Sequence, residues 1–326
     1  MSAIDSSIMH QTLLPLSVAS VNGIVLVHLI DPDRLDLSRG FLKLSVPKDR
    51  PIDKIQQIDE WLDQNPDHAS TTDFAHTAGI FHVARCGSTL LTQNVKNTGG
   101  FIALSEPGFV GKLLNRFEHM LEPEIQRKYL RATIAAWQDW SAKQNKQLLI
   151  KFNSLTGQAV STVFSELQNA QFVFLFREPV AVLESLTRKP PAYVKNGEKA
   201  RIEGALPEFE AVDQSTQAYF AARAYCEALR SFEGLIDPRL LAIEYDDLQA
   251  KFADVLRHFK FIGDANSADW DAKKNAKWKG SRQDDYKPIS IDELTRFAGE
   301  QAEYIQVARG YFERFRDQYE VSGGTL

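Results

Sequence analysis

Apolar residues along this chain follow two rhythms. From Gly79 onward, unbroken apolar runs at 80–83, 101–104, 148–152, 172–176 and 240–243 alternate with stretches of helical spacing. In one such stretch Val160, Val163, Phe164 and Leu167 share a face; in another Leu248, Phe252, Val255, Leu256 and Phe259 do. Strands without polar alternation are buried on both faces. The pattern therefore predicts a three-layer α/β domain over 76–326, with a mostly parallel central sheet covered on both sides. A capping box of Ser290 with Glu293 predicts a last helix running to about Tyr319.

Residues 1–75 read as an N-terminal extension of mixed α/β character packed on the main domain. Apolar runs near 11–30 and 41–46 predict strands, and 52–65 carries Ile55, Ile58, Trp61 and Leu62 at helical spacing. Two segments break the main pattern. One, 187–213, contains Pro190, Pro191, Gly197, Gly204 and Pro207; the other, 264–290, is rich in Lys, Asp and Trp. Long irregular segments in compact domains often serve as lids or binding walls. Tyr193, Phe209, Trp270 and Trp278 in them either line an apolar site or pack.

Composition narrows the class. The chain has 326 residues, 44% hydrophobic and 25% charged, as in soluble globular proteins. A formal net charge of −5 argues against nucleic acid as a partner, yet leaves room for a local cationic pocket. Only Cys86 and Cys226 are present, with no CxxC pair, which suits a reducing compartment. The apolar run at 24–30 is too short to span a bilayer, so a cytoplasmic protein without a membrane partner is expected.

The chemistry concentrates at 79–91, which reads strand, tight turn, helix, with Arg85-Cys86-Gly87-Ser88-Thr89 at the turn. Gly87 lets the backbone approach a ligand. Ser88 and Thr89 are expected to cap the helix and offer hydroxyls. The helix N-terminus presents amides with partial positive charge, and Arg85 adds a full charge and a fork of donors. The same residues also suit a plain strand-to-helix turn. The ATP-binding pattern GxxxxGK[ST] is absent, since no Lys follows Gly87. Cys86 as a thiolate nucleophile would call for a loop closed by Arg at position 92, where Thr92 stands; a small residue filling the loop is the favoured role.

A second anchor lies where the strand at 171–176 runs into Arg177-Glu178-Pro179. Pro179 suits a helix start, and Ser185 follows two turns along. An Arg at the C-terminal end of a parallel strand projects into the crevice where such sheets bind ligands.

Together these motifs resemble the sulfotransferase family that uses 3′-phosphoadenosine 5′-phosphosulfate (PAPS), closest in motif type to carbohydrate, tyrosyl-protein and bacterial members. That family carries an R-[SC]-G-[ST]-T loop for the 5′-phosphosulfate and an Arg and Ser eight residues apart for the 3′-phosphate, matched by Arg177 and Ser185. It also has a strand ending in Y-[ED]-D-L and a helix closing on F-[LI]-G. Here these are Tyr245-Asp246-Asp247-Leu248 and Phe261-Ile262-Gly263. The resemblance spans about 79–263, while the first 75 residues match nothing in it. Many cytosolic members have Lys where this chain has Arg85. The family's late glycine-rich loop is matched only loosely, by Lys277, Lys279 and Arg282 around Gly280.

The resemblance implies a P-loop NTPase-like phosphate-binding strand–loop–helix and in-line transfer of a sulfuryl group from PAPS to a hydroxyl or amine on a small-molecule or peptide acceptor. It implies PAPS contacts from Arg85, Cys86, Gly87, Ser88, Thr89, Arg177, Ser185, Lys277, Lys279 and Arg282. No metal is required in principle, because Arg85, the loop amides and Lys151 can complement the charge of a phosphate leaving group. Glu106, following the strand at 101–104, is the candidate base; tyrosyl-protein members carry a base Glu at similar spacing. Its other reading is an acid facing a helix dipole beside Pro107. His76, His82 and His119 are weaker base candidates. The rival readings are a nucleotide kinase or NTPase using Asp246 or Asp247 for magnesium, and a non-catalytic nucleotide-binding protein.

Overall fold

A hairpin comes first among the described residues. In the computed structural model, which describes residues 12–37, 42–49, 51–116, 121–195, 206–271 and 290–321, β1 (Leu14–Val21) and β2 (Ile24–Ile30) pair antiparallel. Asn22 and Gly23 between them both adopt the left-handed conformation that a two-residue hairpin turn requires. A third strand, β3 (Lys54–Gln57), adds to β2 with Ile55 opposite His28. Two expectations change here. The run at 41–46 is a short helix, α1 (Leu42–Ser45), not a strand. The helix expected over 52–65 is divided into β3 and α2 (Ile58–Gln64). The exposed Ile55 belongs to the sheet edge, because backbone pairing with β2 outweighs a helical period that four residues cannot establish.

The N-terminal unit, completed by α3 (Pro66–Ser70), is docked through specific bonds. Trp137 Nε1 donates to Pro15 O at 2.7 Å, Tyr129 Oη to Asp59 at 2.7 Å, and His68 lies 2.9 Å from Asp139. All three core partners sit on α6 (Pro123–Lys143).

The five apolar runs form five parallel strands: β4 (Thr77–His82), β5 (Phe101–Ser105), β6 (Gln147–Lys151), β7 (Gln171–Phe176) and β8 (Leu240–Glu244). Their order is β5-β6-β4-β7-β8. Every residue of β4, β6 and β7 is buried, so both faces of the sheet are covered, as the unbroken apolar pattern requires. The flanking helices include α4 (Ser88–Asn97), α5 (Gly108–Gly111), α7 (Val160–Glu166), α8 (Pro179–Arg188), α9 (Ala192–Lys195), α10 (Gln217–Arg230) and α11 (Phe252–His258). Stacked phenylalanines knit the strands to the segments around them; Phe81 lies 4.2 Å from Phe152 and Phe174 4.1 Å from Phe232 between ring centroids.

The capping box at Ser290 forms, but the last helix is interrupted at Gln301, giving α12 (Ile291–Glu300) and α13 (Ala302–Val321). Gln301 leaves helical geometry just after Gly299, a residue that weakens a helix. Among the described residues, no helix is long and apolar enough to cross a membrane.

Because all five strands run the same way, one edge of the sheet collects the residue that follows each of them. The chain moves from β4 to β5 and β6 on one side and to β7 and β8 on the other. The end of β4 is therefore a topological switch point, the place where open α/β sheets bind ligands.

Candidate active site

The turn after β4 is built on two left-handed residues, Arg85 (φ 61°) and Gly87 (φ 83°). Gly87, rather than Ser88 or Thr89, is the N-cap of α4, and no side chain caps that end. Ser88 and Thr89 are the first two helical residues instead. Without a capping side chain, the first turn keeps its amide dipoles directed out of the helix. A side chain at Gly87 would fail twice: its φ is positive, and a Cβ would lie 2.6 Å from the Tyr245 ring.

That ring ties the separate sequence motifs together. The Arg177 guanidinium lies 4.1 Å from the Tyr245 ring centroid and donates to Arg85 O at 3.3 Å. Tyr225 Oη donates to Arg177 O at 2.7 Å, fixing the end of β7. Glu178 caps α8 by accepting from the Ala181 amide, with Pro179 in the first turn, the helix start anticipated from sequence. Arg85 Nη2 reaches Lys189 O at 2.8 Å, and the Lys189 amide bonds to Ser185 O at 3.2 Å. Arg85 thus spans from the loop to the last turn of α8, which contains the half-buried Ser185.

On the other side of β4, Lys151 Nζ lies 2.5 Å from Glu106 Oε1. The Glu106 amide also donates to Lys151 O at 2.7 Å, so the two residues are joined by backbone and side chain. Lys151 is 2% exposed in its side chain and Glu106 36%, which places the carboxylate at the rim and the ammonium within. Glu106 has φ 52°. Arg85 and Glu106 therefore both hold a costly backbone conformation at a strand end, a form of strain that clusters at functional sites.

Electrostatics follows from burial and Lys151. Burial favours a neutral Glu106, but the charge and hydrogen bond of Lys151, helped by His82 and Lys43, hold its pKa below the ordinary carboxylate value. His82 is pushed down to about 4, first by burial and then by Lys151. Its ring nitrogens each lie 3.0 Å from a carbonyl, Val83 O and Phe152 O, so neither is directed to a substrate; the two carbonyls favour the protonated ring, and burial with Lys151 outweighs them. His76 precedes β4 and so lies at the opposite edge of the sheet, while His119 falls outside the described residues. Cys86 is fully buried. Burial raises its thiol to about 12 against the pull of the Ser88 amide, Lys151 and Arg177, which fits a loop filler and not a nucleophile.

A cavity of about 310 Å³ opens beside Glu106, lined also by Lys43, Pro107, Gly108, Gly111, Lys112 and Asn153. Lys43, Lys112 and Asn153 were missed in the sequence, where none forms part of a motif. Phe209 and Trp270, considered above as site walls, pack instead: Phe209 is buried against Tyr219, and Trp270 sits edge-on to Phe252. Asp246 and Asp247 are exposed beyond β8, and Asp247 pairs with Lys251 at 3.1 Å. Lys277, Trp278, Lys279 and Arg282, as well as the Tyr193 side chain, lie outside the described residues.

No family model matches the sequence, and no curated protein matches it. Similar solved structures include sulfotransferase STF9 from Mycobacterium avium, at 11% identity over 74% of this chain and 80% of that one, with a TM-score of 0.40. Mouse sulfotransferase SULT7A1 complexed with PAP is 12% identical over 79% of this chain and 96% of that one, with a TM-score of 0.37. The sulfotransferase domain from the curacin biosynthetic pathway is 13% identical over 69% and 96%, with a TM-score of 0.34. Identities and TM-scores at this level leave the chemistry of this chain to be read from its own residues.

Proposed function

We propose that this chain is a sulfotransferase that moves a sulfuryl group from PAPS to a hydroxyl or amine acceptor at the C-terminal edge of the sheet. The observation that carries this reading is the charge on the two strands flanking β4. Lys151 ends β6 and Arg177 follows β7, so the phosphate loop lies between two cations. A magnesium-dependent nucleotide kinase needs a metal-holding carboxylate near its loop. Here the candidate acids, Asp246 and Asp247, are both exposed, and Asp247 is paired with Lys251 at 3.1 Å.

The residues present suit a nucleotide with two separate anionic groups. The tight glycine cradle, the uncapped amides of α4, Arg85 and Lys151 would hold the 5′-phosphosulfate. Arg177 and Ser185 would hold the 3′-phosphate. Bound there, PAPS supplies a sulfuryl group on a phosphate leaving group: the acceptor atom bonds to sulfur as the sulfur–oxygen bond to phosphate breaks, the electron pair departing on phosphate. Glu106 takes the proton that the acceptor loses. Lys151 keeps Glu106 ionised beforehand. As the carboxylate is neutralised, the Lys151 charge is released from its partner and becomes available to the leaving group, with Arg85 and the loop amides.

The test is a melting experiment with PAP and with ATP plus magnesium. PAP without divalent metal should raise the melting temperature, since a ligand of the native state stabilises by RT ln(1 + [L]/Kd). Strong stabilisation by ATP–magnesium with none by PAP would transfer the reading to a kinase. Arg177→Ala should weaken PAP by about tenfold or more, and adenosine 5′-phosphosulfate much less. Equal weakening of both would assign Arg177 to the loop, where its bond to Arg85 O lies.

A further inference from the structure

The cavity beside Glu106 belongs partly to the N-terminal unit, for which the motifs provide no role. Lys43 comes from α1. Lys112, at the C-terminal end of α5, donates to Val18 O of β1 at 2.7 Å, which fixes its position against the hairpin. Gly108 lies against the same strand: a Cβ there would be 4.0 Å from Ser17 Cβ. Gly111 is equally constrained, because a Cβ would approach Asn153 Nδ2 to 2.9 Å. Asn153 thus presents its amide on one wall of the cavity.

Its charge is unbalanced. The ionic groups lining it are Lys43, Lys112 and Glu106, and Glu106 already has Lys151 as partner from the sheet side. Among the described residues, two lining cations therefore face one carboxylate whose charge is already shared with the buried Lys151. Both lining lysines act on their surroundings: Lys43 helps to hold Glu106 below the ordinary carboxylate range, and Lys112 adds to the effect of burial in lowering His28. In a partly enclosed space such a surplus attracts an anion and repels a cation, more strongly than it would in open water. The volume of about 310 Å³ is at the small end of ligand sites, suited to a small molecule and too small for a folded partner.

We infer that this cavity is the acceptor site and that it selects small acceptors carrying an anionic group of their own. The carboxylate, phosphate or sulfate of the acceptor rests between Lys43 and Lys112, and its hydroxyl or amine is presented to Glu106. The role of Glu106 in transfer rests on the sulfotransferase reading, while the anion preference rests on the cavity itself. The N-terminal unit then sets specificity: its lysine, and the hairpin that positions Lys112, complete a site whose chemistry belongs to the sheet.

The experiment uses the full chain saturated with PAP, so that anionic probes are kept from the phosphate loop. Calorimetry then compares matched pairs, p-hydroxybenzoate with p-hydroxybenzyl alcohol and glycerol phosphate with glycerol. The anionic member of a pair should bind about tenfold or more tightly than the neutral one. Lys43→Glu, a change at an exposed position that spares the core, should erase that preference and leave PAP affinity intact. Equal binding of both members, no binding of any anionic member, or a preference untouched by Lys43→Glu each overturns the inference. The two readings separate cleanly. If PAP fails to bind while anions bind through Lys43, sulfuryl transfer is wrong and the anion site stands; PAP binding without anion preference leaves transfer standing alone.

Discussion

Glu106 combines a left-handed backbone, a buried lysine partner and a partly open carboxylate. Glu106→Gln keeps the shape and removes the basicity. Turnover should fall by ~10²–10⁴ while PAP affinity holds, as read from single-turnover kinetics and calorimetry. Near-normal turnover would place the base elsewhere. The same substitution leaves Lys151 without its carboxylate, so stability should also fall, by less than the ~3–5 kcal/mol of a fully buried pair because water reaches Glu106. His82 makes a separate, pH-dependent contribution. Its folded pKa of about 4 lies below its ordinary 6.5, so the unfolded chain takes up the proton first. Stability from this residue is complete above about 6.5 and is lost as pH falls towards about 4, at up to ~1.4 kcal/mol per pH unit. His28 and His258, also lowered chiefly by burial, act in the same sense. Urea unfolding at pH 7 and pH 5 should show His82→Gln losing less stability on acidification than the parent; an unchanged slope would acquit His82. At this scale the sequence marked Arg85, Glu106 and Lys151 as chemistry. It carried no sign that Glu106 and Lys151 touch, since that contact depends on β5 pairing with β6.

The decisive element is the β4–loop–α4 unit, and Gly87 is its most constrained position. Gly87→Ala adds left-handed strain and drives a methyl into the Tyr245 ring that supports Arg177. The expected cost is about 2–4 kcal/mol with a marked loss of PAP binding, checked by denaturant unfolding and calorimetry. Gly99→Ala is the control, with φ +79° but nothing within 4 Å of the added Cβ. It should incur backbone strain alone and leave PAP binding unchanged; equal loss in both variants would mean that strain, not the Tyr245 contact, controls the loop. Strand–turn–helix was legible from the apolar run followed by Gly87, and the start of α8 from Pro179. The short elements were harder to read. At 41–46 and 52–57 the apolar spacing suits strand or helix, and pairing with β2 decided the second of them.

Across the whole molecule, the docking of the N-terminal unit onto α6 matters most. Trp137 is fully buried, and its indole N–H satisfies Pro15 O across the boundary. Trp137→Phe leaves that carbonyl without its donor and should cost about 1–3 kcal/mol, measured by denaturant unfolding. If the two parts fold as one, the variant should retain a single transition with a lower midpoint and an unchanged slope. A new early transition would show that the hairpin unit had come loose on its own.

The sequence by itself determined the layered α/β plan, because unbroken apolar runs have to be buried on both faces. It also carried the anion-binding expectation for the loop after β4, because glycine, arginine and hydroxyl residues suit a strand-to-helix anion site. Tertiary structure decided what the loop faces. The strand order brought Lys151 and Arg177 to either side of it and set Tyr245 against Gly87, and the N-terminal unit added Lys43, from a distant stretch of chain, to the cavity at Glu106. Those neighbours are fixed by which strands pair and which unit docks. Both are long-range choices that local hydrophobic spacing does not encode.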